Sequence, residues 1–284
     1  MKYEYAVIGG DERQAYLAEF LARSHKVIAC GVCRTPKSVP VEASLEGTIR
    51  QADCILAPVP LTKDGKTVYD KRKPKAEDVM MLGTLFQTLT PSQRFYAGGI
   101  SREWMLLARK RQLRLTDYMN IEEIAWKNAA ATAEGTLAEA IRRYPDNIQG
   151  TRCLVLGFGR CGMTVARLFC AAGAKVTVCV RRREVLCQGE VLGYEMKDIR
   201  DLKEILPHQN IIINTIPSRI LDALQLKQVS PETLILDIAG QGGGTDFEEA
   251  SRRGIPAVLC SGLPGQYAPR ASAKILADWV EGEK

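Results

Sequence analysis

A glycine-rich turn between a predicted strand and a predicted helix constrains the fold of this chain more than any other feature. The run Gly157-Phe158-Gly159-Arg160-Cys161-Gly162 follows the apolar segment 153–156 and precedes a helical pattern at 163–169. Strand, glycine turn and helix start, in this order, form the setting in which G-x-G-x-x-G binds a dinucleotide. A second apolar strand, at 175–180, completes a βαβ unit. The sequence therefore predicts a cofactor site, and the alternative is an ordinary strand–helix turn.

Each glycine of this turn has a separate role in the interpretation. Gly157 lets the chain turn tightly, Gly159 lets the backbone approach a pyrophosphate, and Gly162 lets the helix pack close to the strand. Cys161 would lie near the pyrophosphate, and we expect it there because it is small. A later strand at 211–214 ends at the same rim, which adds three predicted cofactor contacts: Thr215, Ile216 and Pro217.

Three consecutive arginines follow the second strand of this unit. Units that bind NAD usually carry Asp or Glu about 20 residues beyond the glycines, where the carboxylate holds the ribose hydroxyls. Here Arg181, Arg182 and Arg183 stand instead. Guanidinium groups pair with a 2′-phosphate through charge-assisted bonds. The sequence therefore predicts NADP as the cofactor, and the alternative is a solvated basic turn.

The composition is typical of a soluble protein that binds small anions. The chain has 284 residues, of which 46% are hydrophobic, and a net charge of +6. This length suits two domains. A membrane-spanning helix needs an apolar run of about 18 residues, and the sequence contains no run of that length. It also contains no basic helix interleaved with aromatic residues, the pattern that would predict nucleic-acid binding. We expect a cytoplasmic protein with neither a membrane nor a nucleic-acid partner.

The cysteines and histidines predict neither a metal site nor nucleophilic catalysis. Nine cysteines are expected as reduced thiols in that compartment. Cys30 and Cys33 have C-x-x-C spacing, but no second pair completes a zinc site and the motif does not open a helix. The two histidines, His25 and His208, are interpreted as surface residues. This interpretation disfavours a hydroxyacid dehydrogenase that uses histidine as its acid.

The N-terminal part predicts a separate α/β unit. Its first strand ends at Gly9-Gly10, which lacks the third glycine of the dinucleotide pattern, so the unit looks like half of a nucleotide-binding fold. Ser101 is a good N-cap for the helix that follows the strand at 94–99. The remaining predicted elements are strands at 3–9, 26–32, 53–60 and 94–99, a loop or flap at 61–75, and a helix at 77–89.

Polar turns follow three of these strands. In open parallel sheets, ligands bind outside the carboxyl ends of the strands. That rule places Gly10-Asp11-Arg13, Pro58-Val59 and Gly99-Ile100-Ser101 on one rim. We interpret the rim as a substrate site, and the alternative is ordinary turn chemistry.

A long alanine-rich helix is predicted between the two units, at 119–146. Gly135 interrupts its pattern at a cost of about 1 kcal/mol relative to alanine, which suggests that another part of the backbone comes close there. Thr132 and Glu134 could face the cleft between the units. The alternative for Glu134 is a solvated surface carboxylate.

Together these elements predict an α/β protein of two Rossmann-like, doubly wound parallel-sheet domains joined by a long interdomain helix. The near-continuous apolar strands agree, because parallel strands are buried on both faces. The predicted boundaries are 1–118 for the substrate and partner domain, 119–146 for the helix and 147–267 for the cofactor domain. A final helix within 268–284 is expected to pack back on the first domain.

Several motifs outside the generic nucleotide pattern resemble those of the A subunit of dipicolinate synthase. The resemblance covers nearly the whole chain, and its departure is the alanine-rich segment 128–131. The matching motifs are Gly9-Gly10-Asp11-x-Arg13-Gln14, Gly99-Ile100-Ser101, Glu134-Gly135-Thr136, Gly157-x-Gly159-Arg160-x-Gly162-Met163-Thr164, Asn214-Thr215-Ile216-Pro217-Ser218, Gly243-Gly244-Thr245-Asp246-Phe247 and Gly262-Leu263-Pro264-Gly265.

The resemblance implies an enzyme of bacterial sporulation that forms pyridine-2,6-dicarboxylate. A dihydrodipicolinate-type ring, or its hydroxylated tetrahydro precursor, would be oxidised with NADP, alongside a flavoprotein-like B subunit. The dicarboxylate needs cations or N–H donors, and Glu134 is the expected base, while Asp11 orients Arg13. The expected substrate contacts are Gly10, Asp11, Arg13, Ser101, Arg102, Thr132 and Arg270, with Ser101 and Arg13 also expected to take part in catalysis.

Two other functions remain open at this point. One is a regulatory or scaffold subunit that binds NADP without catalysing a reaction. The other is a 2-hydroxyacid or amino-acid dehydrogenase, for which the same two-domain layout would serve. Assembly into a homo-oligomer is open as well.

Overall fold

The computed structural model describes residues 2–72, 74–240 and 242–283 of the chain. Its described residues form two compact units, one from 1–127 with 268–284 and the other from 128–267. The division falls inside one continuous helix, Glu122–Arg143. The domain boundaries expected from the sequence stay a prediction.

The first unit is built on a sheet of six parallel strands. The strands are β1 (Tyr3–Ile8), β2 (Val27–Cys30), β3 (Val41–Glu42), β4 (Ala52–Leu56), β5 (Arg94–Ala97) and β6 (Arg114–Asp117), in the order β3-β2-β1-β4-β5-β6. The helices up to the division are α1 (Glu12–Leu21), α2 (Leu45–Arg50), α3 (Leu82–Thr88), α4 (Arg102–Lys110) and α5 (Glu122–Arg143). This is the doubly wound order of a complete nucleotide-binding fold, so the expectation of only half a fold was wrong.

The second unit repeats this topology. Its strands are β7 (Arg152–Leu156), β8 (Lys175–Val180), β9 (Glu195–Asp198), β10 (Ile211–Asn214), β11 (Leu234–Asp237) and β12 (Ala257–Leu259), in the order β12-β11-β10-β7-β8-β9. Its helices are α6 (Arg160–Ala171), α7 (Arg183–Val191), α8 (Leu202–Ile205), α9 (Ala223–Leu226), α10 (Phe247–Arg252) and α11 (Leu263–Tyr267). The predicted fold class is confirmed, because two parallel six-stranded sheets with flanking helices are present.

Apolar strands and helix faces explain why each sheet is covered on both sides. In the first unit, α12 (Pro269–Gly282) buries Ala273, Leu276 and Val280 against the core that also holds Leu17 of α1. Trp279 of α12 contacts Tyr96 and Tyr118 edge-on. The C-terminal helix is therefore part of the core of the first unit.

In the segment expected as a loop or flap at 61–75, the described residues 61–72 form a loop that is hydrogen-bonded to neighbouring parts of the first unit. Leu61 and Val68 are buried, and the Val68 amide donates to the Met80 carbonyl at 2.8 Å. Because Met80 is engaged in this pairing, α3 begins only at Leu82. The predicted helix at 77–89 is therefore wrong in its first half, where only a short 3₁₀ turn, Ala76–Asp78, forms.

Phe86 of α3 packs against both helix α4 and strand β5 in the first unit. It is fully buried, stacks on Trp104 with a centroid separation of 4.6 Å and lies 5.7 Å from Phe95. We expect Phe86→Ala to lower the free energy of unfolding of the first unit by about 3–5 kcal/mol, because it leaves a cavity. Urea unfolding followed by tryptophan fluorescence reports on this unit, since Trp104, Trp126 and Trp279 all belong to it.

Leu106→Ala is the matched control, because Leu106 lies on α4 but is 47% exposed. A loss of stability as large in the control as in Phe86→Ala would contradict the placement of the core.

Candidate dinucleotide site and the rim of the first sheet

The glycine turn after β7 has room for a side chain at only one of its three glycines. Gly157 has φ +97°, and a Cβ atom there would lie 2.4 Å from the Thr215 hydroxyl. A Cβ atom on Gly162 would lie 2.3 Å from the Gly157 carbonyl oxygen, whereas nothing lies within 4 Å at Gly159. Tight turn, open approach and close helix packing are the three conditions for a pyrophosphate at a helix N-terminus.

A cleft of about 280 Å³ opens beside this turn. Arg181 and Arg182 line it, and both side chains are exposed. Among the described residues neither arginine forms an ion pair. The full lining is Gly157, Phe158, Gly159, Val180, Arg181, Arg182, Val185, Ile199, Ile216, Ser218 and Ile220. The cleft combines polar backbone groups, apolar walls and two cations, and a phosphorylated dinucleotide requires all three kinds of contact.

Other predicted cofactor residues lie near the cleft but do not line it. Arg183 begins α7 and is exposed, as is Pro217. The Thr215 hydroxyl donates to the Leu156 carbonyl at 2.8 Å and fills the space above Gly157. Thr215 therefore supports the glycine turn without lining the cleft. Arg160 and Gly162 belong to the first turn of α6.

The apolar walls of the cleft were missed by the sequence analysis. Val180, Val185, Ile199 and Ile220 come from four separate segments, and an apolar residue there also fits an ordinary core. Ser218 belongs to the segment 214–218, which the sequence placed at the cofactor rim, although Ser218 was not among the predicted contacts.

Cys161 is a half-buried thiol beside the turn. Burial raises its pKa, while the charge of Arg160 and a hydrogen bond with Thr132 act in the opposite direction. Thr132 of α5 also donates to the Asn128 carbonyl at 3.1 Å. Glu134 is exposed. Because residues two apart on a helix point about 200° away from each other, Thr132 and Glu134 lie on different faces of α5.

Gly135 packs against the segment that follows β12. A Cβ atom there would lie 2.9 Å from the Tyr267 ring and 3.0 Å from the Leu263 side chain, so the neighbours that come close are side chains and not the backbone that was expected. One turn further along α5, Glu139 accepts hydrogen bonds from Tyr267 and from Arg143. Burial alone would raise the pKa of Glu139, but these bonds and one from Arg142 lower it to about 2. The carboxylate therefore fixes the end of the second unit to α5.

Asp237 organises the loops on the other side of the cofactor cleft. It ends β11, is fully buried, and accepts hydrogen bonds from the Gly244 amide at 2.8 Å and the Thr245 hydroxyl at 2.7 Å. Asn214 donates to the same carboxylate at 3.0 Å. A buried carboxylate is tolerated only when several donors satisfy it, and the Ala239 amide adds another.

Asn214 links the Asp237 carboxylate to Ile216, one of the residues that line the cleft. Its side-chain oxygen accepts from the Ile216 amide at 3.0 Å, and its nitrogen donates to the Ile216 carbonyl at 3.1 Å. Gly244 lies so close to this loop that a Cβ atom would be 2.4 Å from the Ser218 carbonyl. The cleft residues Ile216 and Ser218 therefore depend on Asp237, which the sequence analysis did not single out.

In the first unit, Arg13 is held at the rim by a bidentate ion pair. Its Nε and Nη2 atoms donate to Asp11 at 2.9 and 2.8 Å, and Nη2 also donates to the Val59 carbonyl. Both residues are 7% exposed. The other terminal nitrogen, Nη1, forms no hydrogen bond with a described residue. Asp11 therefore orients Arg13, while Nη1 points away from this ion pair.

The three rim loops lie together, as the sequence predicted. Arg13 joins the first loop to Val59, and the Gly98 amide donates to the Pro58 carbonyl at 3.1 Å. Asp117, at the end of β6, accepts from the amides of Gly99 and Ile100 at 3.1 and 2.9 Å. This aspartate was also missed, although an Asp that follows a predicted strand is a recognisable loop anchor.

Ser101 precedes α4, but its hydroxyl makes no capping hydrogen bond. The prediction of a good N-cap is therefore wrong in its chemistry, and the exposed hydroxyl is left for other contacts. Arg102 is exposed at the first position of α4. Arg270, the second residue of α12, lies over the Phe20 ring of α1 at 5.6 Å.

The glycine turn of the first sheet is covered by the chain itself. The Gly10 amide donates to the Tyr69 carbonyl at 2.6 Å, and the Lys71 amide donates to the Gly10 carbonyl at 3.0 Å. A Cβ atom on Gly10 would lie 2.4 Å from Gln14, whose side-chain oxygen is buried without a partner among the described residues. A dinucleotide phosphate would need the space that the 69–71 segment occupies.

Within the ranges 2–72, 74–240 and 242–283, no three His, Cys, Asp or Glu side chains are grouped as metal ligands. No helix in these ranges is both long and apolar enough to cross a bilayer.

The two doubly wound sheets and the open glycine cleft define the class of nicotinamide-dependent dehydrogenases with two α/β units. Sequence profiles agree: residues 106–247 match the NAD-binding domain of D-isomer specific 2-hydroxyacid dehydrogenases. Residues 4–119 match the N-terminal domain of the dipicolinate synthase A subunit.

Whole-chain comparisons identify the particular family. The dipicolinate synthase A subunit of Bacillus subtilis is 35% identical, with 96% of this chain and 93% of that protein covered. Its crystal structure superposes with a TM-score of 0.86, at 32% identity over 100% of this chain and 96% of that one. The structure of the Bacillus halodurans counterpart has a TM-score of 0.89, at 31% identity over 99% and 97%. This chain belongs to the family of dipicolinate synthase A subunits and is an oxidoreductase.

The substitution Asp237→Asn tests whether the Asp237 carboxylate supports the loop that carries Ile216 and Ser218. An amide cannot accept all the hydrogen bonds that the carboxylate accepts, so we expect the dissociation constant of the nicotinamide cofactor to rise about tenfold. Equilibrium fluorescence titration with NAD and with NADP measures it. Asp246→Asn, at the N-cap of α10, is the control, since Asp246 caps a helix outside the cleft. Unchanged cofactor binding in a folded Asp237→Asn protein would refute this support.

Proposed function

We propose that this chain oxidises dihydrodipicolinate, or its hydroxylated tetrahydro precursor with loss of one water molecule, to pyridine-2,6-dicarboxylate with NADP as the hydride acceptor. Membership of the family of dipicolinate synthase A subunits supports the product, and the match to an NAD-binding domain supports a nicotinamide cofactor. The observation that carries the proposal is the cleft beside the glycine turn, where Arg181 and Arg182 form the charged wall.

The charge of this wall favours NADP over NAD. The cleft lining contains two guanidinium groups and no carboxylate among the described residues. A 2′-phosphate would be attracted to this wall, and the ribose of NAD would lack the carboxylate that usually holds its hydroxyls. The first N–H groups of α6 and the open space at Gly159 suit the pyrophosphate.

When bound, the nicotinamide ring supplies the hydride chemistry, and the chain supplies binding and proton transfer. Arg13 would bind one substrate carboxylate through Nη1, because Asp11 holds its other donors. The exposed Ser101 hydroxyl, which caps no helix, Arg102 and Arg270 are the further proposed substrate contacts. Gly10 and Thr132, expected as contacts from the sequence, are left out, because the 69–71 segment occupies both backbone groups of Gly10 and Thr132 lies on a different face of α5 from Glu134.

Glu134 is the proposed proton acceptor. Oxidation of a dihydropyridine releases a hydride to the cofactor and a proton, and the product gains aromaticity, so a modest base is sufficient. Glu134 is an exposed carboxylate without an ion-pair partner among the described residues. A flavoprotein-like B subunit is proposed as the partner, because the relatives are named as one subunit of a synthase.

Arg181→Ala/Arg182→Ala tests the cofactor assignment. We expect the Michaelis constant for NADP to rise about tenfold or more, because charge-assisted bonds to the 2′-phosphate are lost, while that for NAD changes little. Steady-state kinetics with each cofactor measures both. Arg183→Ala removes a neighbouring positive charge that does not line the cleft, and it should leave both constants unchanged. Equal effects on NADP and NAD would reject the assignment.

Reduction of NADP by the purified chain with freshly prepared precursor tests the reaction itself. A chain that binds NADP but yields no NADPH without its partner would be a cofactor-binding regulatory subunit. Arg13→Lys should raise the Michaelis constant for the precursor about tenfold with little change for NADP, because lysine cannot form the fork-shaped pair. Arg34→Lys is the matched control, since Arg34 forms the same kind of two-bond pair with Glu19, and neither residue belongs to the three rim loops.

A further inference from the structure

A second cleft lies at the opposite edge of the second sheet, where β7, β8 and β9 begin. It measures about 360 Å³. Arg152 and Lys175 are the first residues of β7 and β8, whereas the cofactor cleft lies where β7 and β8 end. The cleft is lined by Arg152, Lys175, Thr177, Glu195, Lys197, Glu204, Ile205, His208 and Gln209.

A short crossover produces this cleft. The chain passes from β9 to β10 through two single 3₁₀ turns and α8, which has four residues. A helix of four residues is about 6 Å long, whereas a strand of five residues spans about 16 Å. Leu202 and Leu206 cover the sheet at Leu154 and Leu156. The beginnings of the strands therefore stay uncovered on this face.

Three cations and two carboxylates line the uncovered face, which leaves one positive charge in excess: Arg152, Lys175 and Lys197 against Glu195 and Glu204. Arg152 and Lys175 are direct cross-strand partners, and like charges in opposite positions destabilise a sheet. Lys197 lies on the same face and approaches only Glu195, at 3.7 Å. His208 stands at the rim. A bound anion between Arg152 and Lys175 would convert this repulsion into attraction.

The cleft is lined by polar side chains beside the apolar Ile205. Gln209 is 9% exposed, its nitrogen donates to the Ile205 carbonyl at 3.1 Å, and its buried oxygen has no partner among the described residues. Thr177, also 9% exposed, adds a hydroxyl. A buried acceptor without a donor is unfavourable, so a ligand that carries hydroxyl groups would complete the site.

We propose that this cleft binds a small hydroxylated dianion, with Arg152, Lys175 and Lys197 holding the charge and Gln209 and Thr177 holding the hydroxyl groups. The chemistry is shared by sugar phosphates and hydroxy-dicarboxylates. The site is separate from the cofactor cleft and does not rest on the proposed reaction.

Calorimetric titration of the full chain saturated with NADP tests the proposal, because the saturated cofactor blocks anion binding at the glycine turn. Ribose 5-phosphate and tartrate are the two probes, and inorganic phosphate tests the charge alone. We expect saturable binding of at least one hydroxylated probe, tighter than that of inorganic phosphate. The tighter of the two probes identifies the source of the dianion.

Arg152→Gln/Lys175→Gln should weaken this binding about tenfold or more, since charge-assisted hydrogen bonds are the strong ones. Arg167→Gln/Lys227→Gln removes the same charge from exposed positions outside the cleft and should change nothing. Thr177→Val, which keeps the shape of the side chain, should weaken the hydroxylated probes but not inorganic phosphate. Absence of saturable binding, or equal loss in both double variants, overturns the proposal.

Discussion

The contact between Gly157 and Thr215 is the constraint on which the second unit depends. It joins the ends of β7 and β10, the two strands between which the order of the sheet reverses, and it leaves no room for a Cβ atom. The turn that results exposes Gly159 and the start of α6 to the cleft. The same strand order in the first sheet shows that topology alone does not create this opening: there the Tyr69 carbonyl binds the Gly10 amide and closes the equivalent turn. One doubly wound sheet therefore offers a dinucleotide cleft and the other offers a polar rim.

Buried aspartates at the carboxyl ends of the strands shape both sites. Asp11 follows β1 and fixes a guanidinium, whereas Asp117 and Asp237 end β6 and β11 and bind backbone amides. In each case a carboxylate that would be costly to bury alone is satisfied by several donors, which come from Arg13 at the start of α1 for Asp11 and include amides of neighbouring loops for Asp117 and Asp237. The loops are thus as well defined as the strands that carry them, which is what precise binding of a cofactor or substrate requires.

Features that short-range sequence patterns encode were predictable, whereas features that depend on contacts between distant residues were not. The glycine turn, the paired α/β units and the close approach at Gly135 were predictable, because each leaves a local pattern of glycine or apolar residues. The roles of Asp237 and of Thr215 depend on residues that are distant in sequence, such as Asn214 with Asp237, and no local pattern marks them. The pairing of Val68 with Met80, which shortens α3, was missed for the same reason.

The sequence by itself determined the fold class, the nucleotide-binding turn and the arginines beside it, since short-range periodicity and glycine spacing encode these features. Only the tertiary structure decided which turn is open. Gly9-Gly10 and Gly157-Phe158-Gly159 both follow a first strand, and the difference lies in a segment about 60 residues away from Gly10 that folds over it. Tertiary packing likewise decided that Arg181 and Arg182 line the cleft and Arg183 does not, because the direction of each side chain is set where β8 ends and α7 begins.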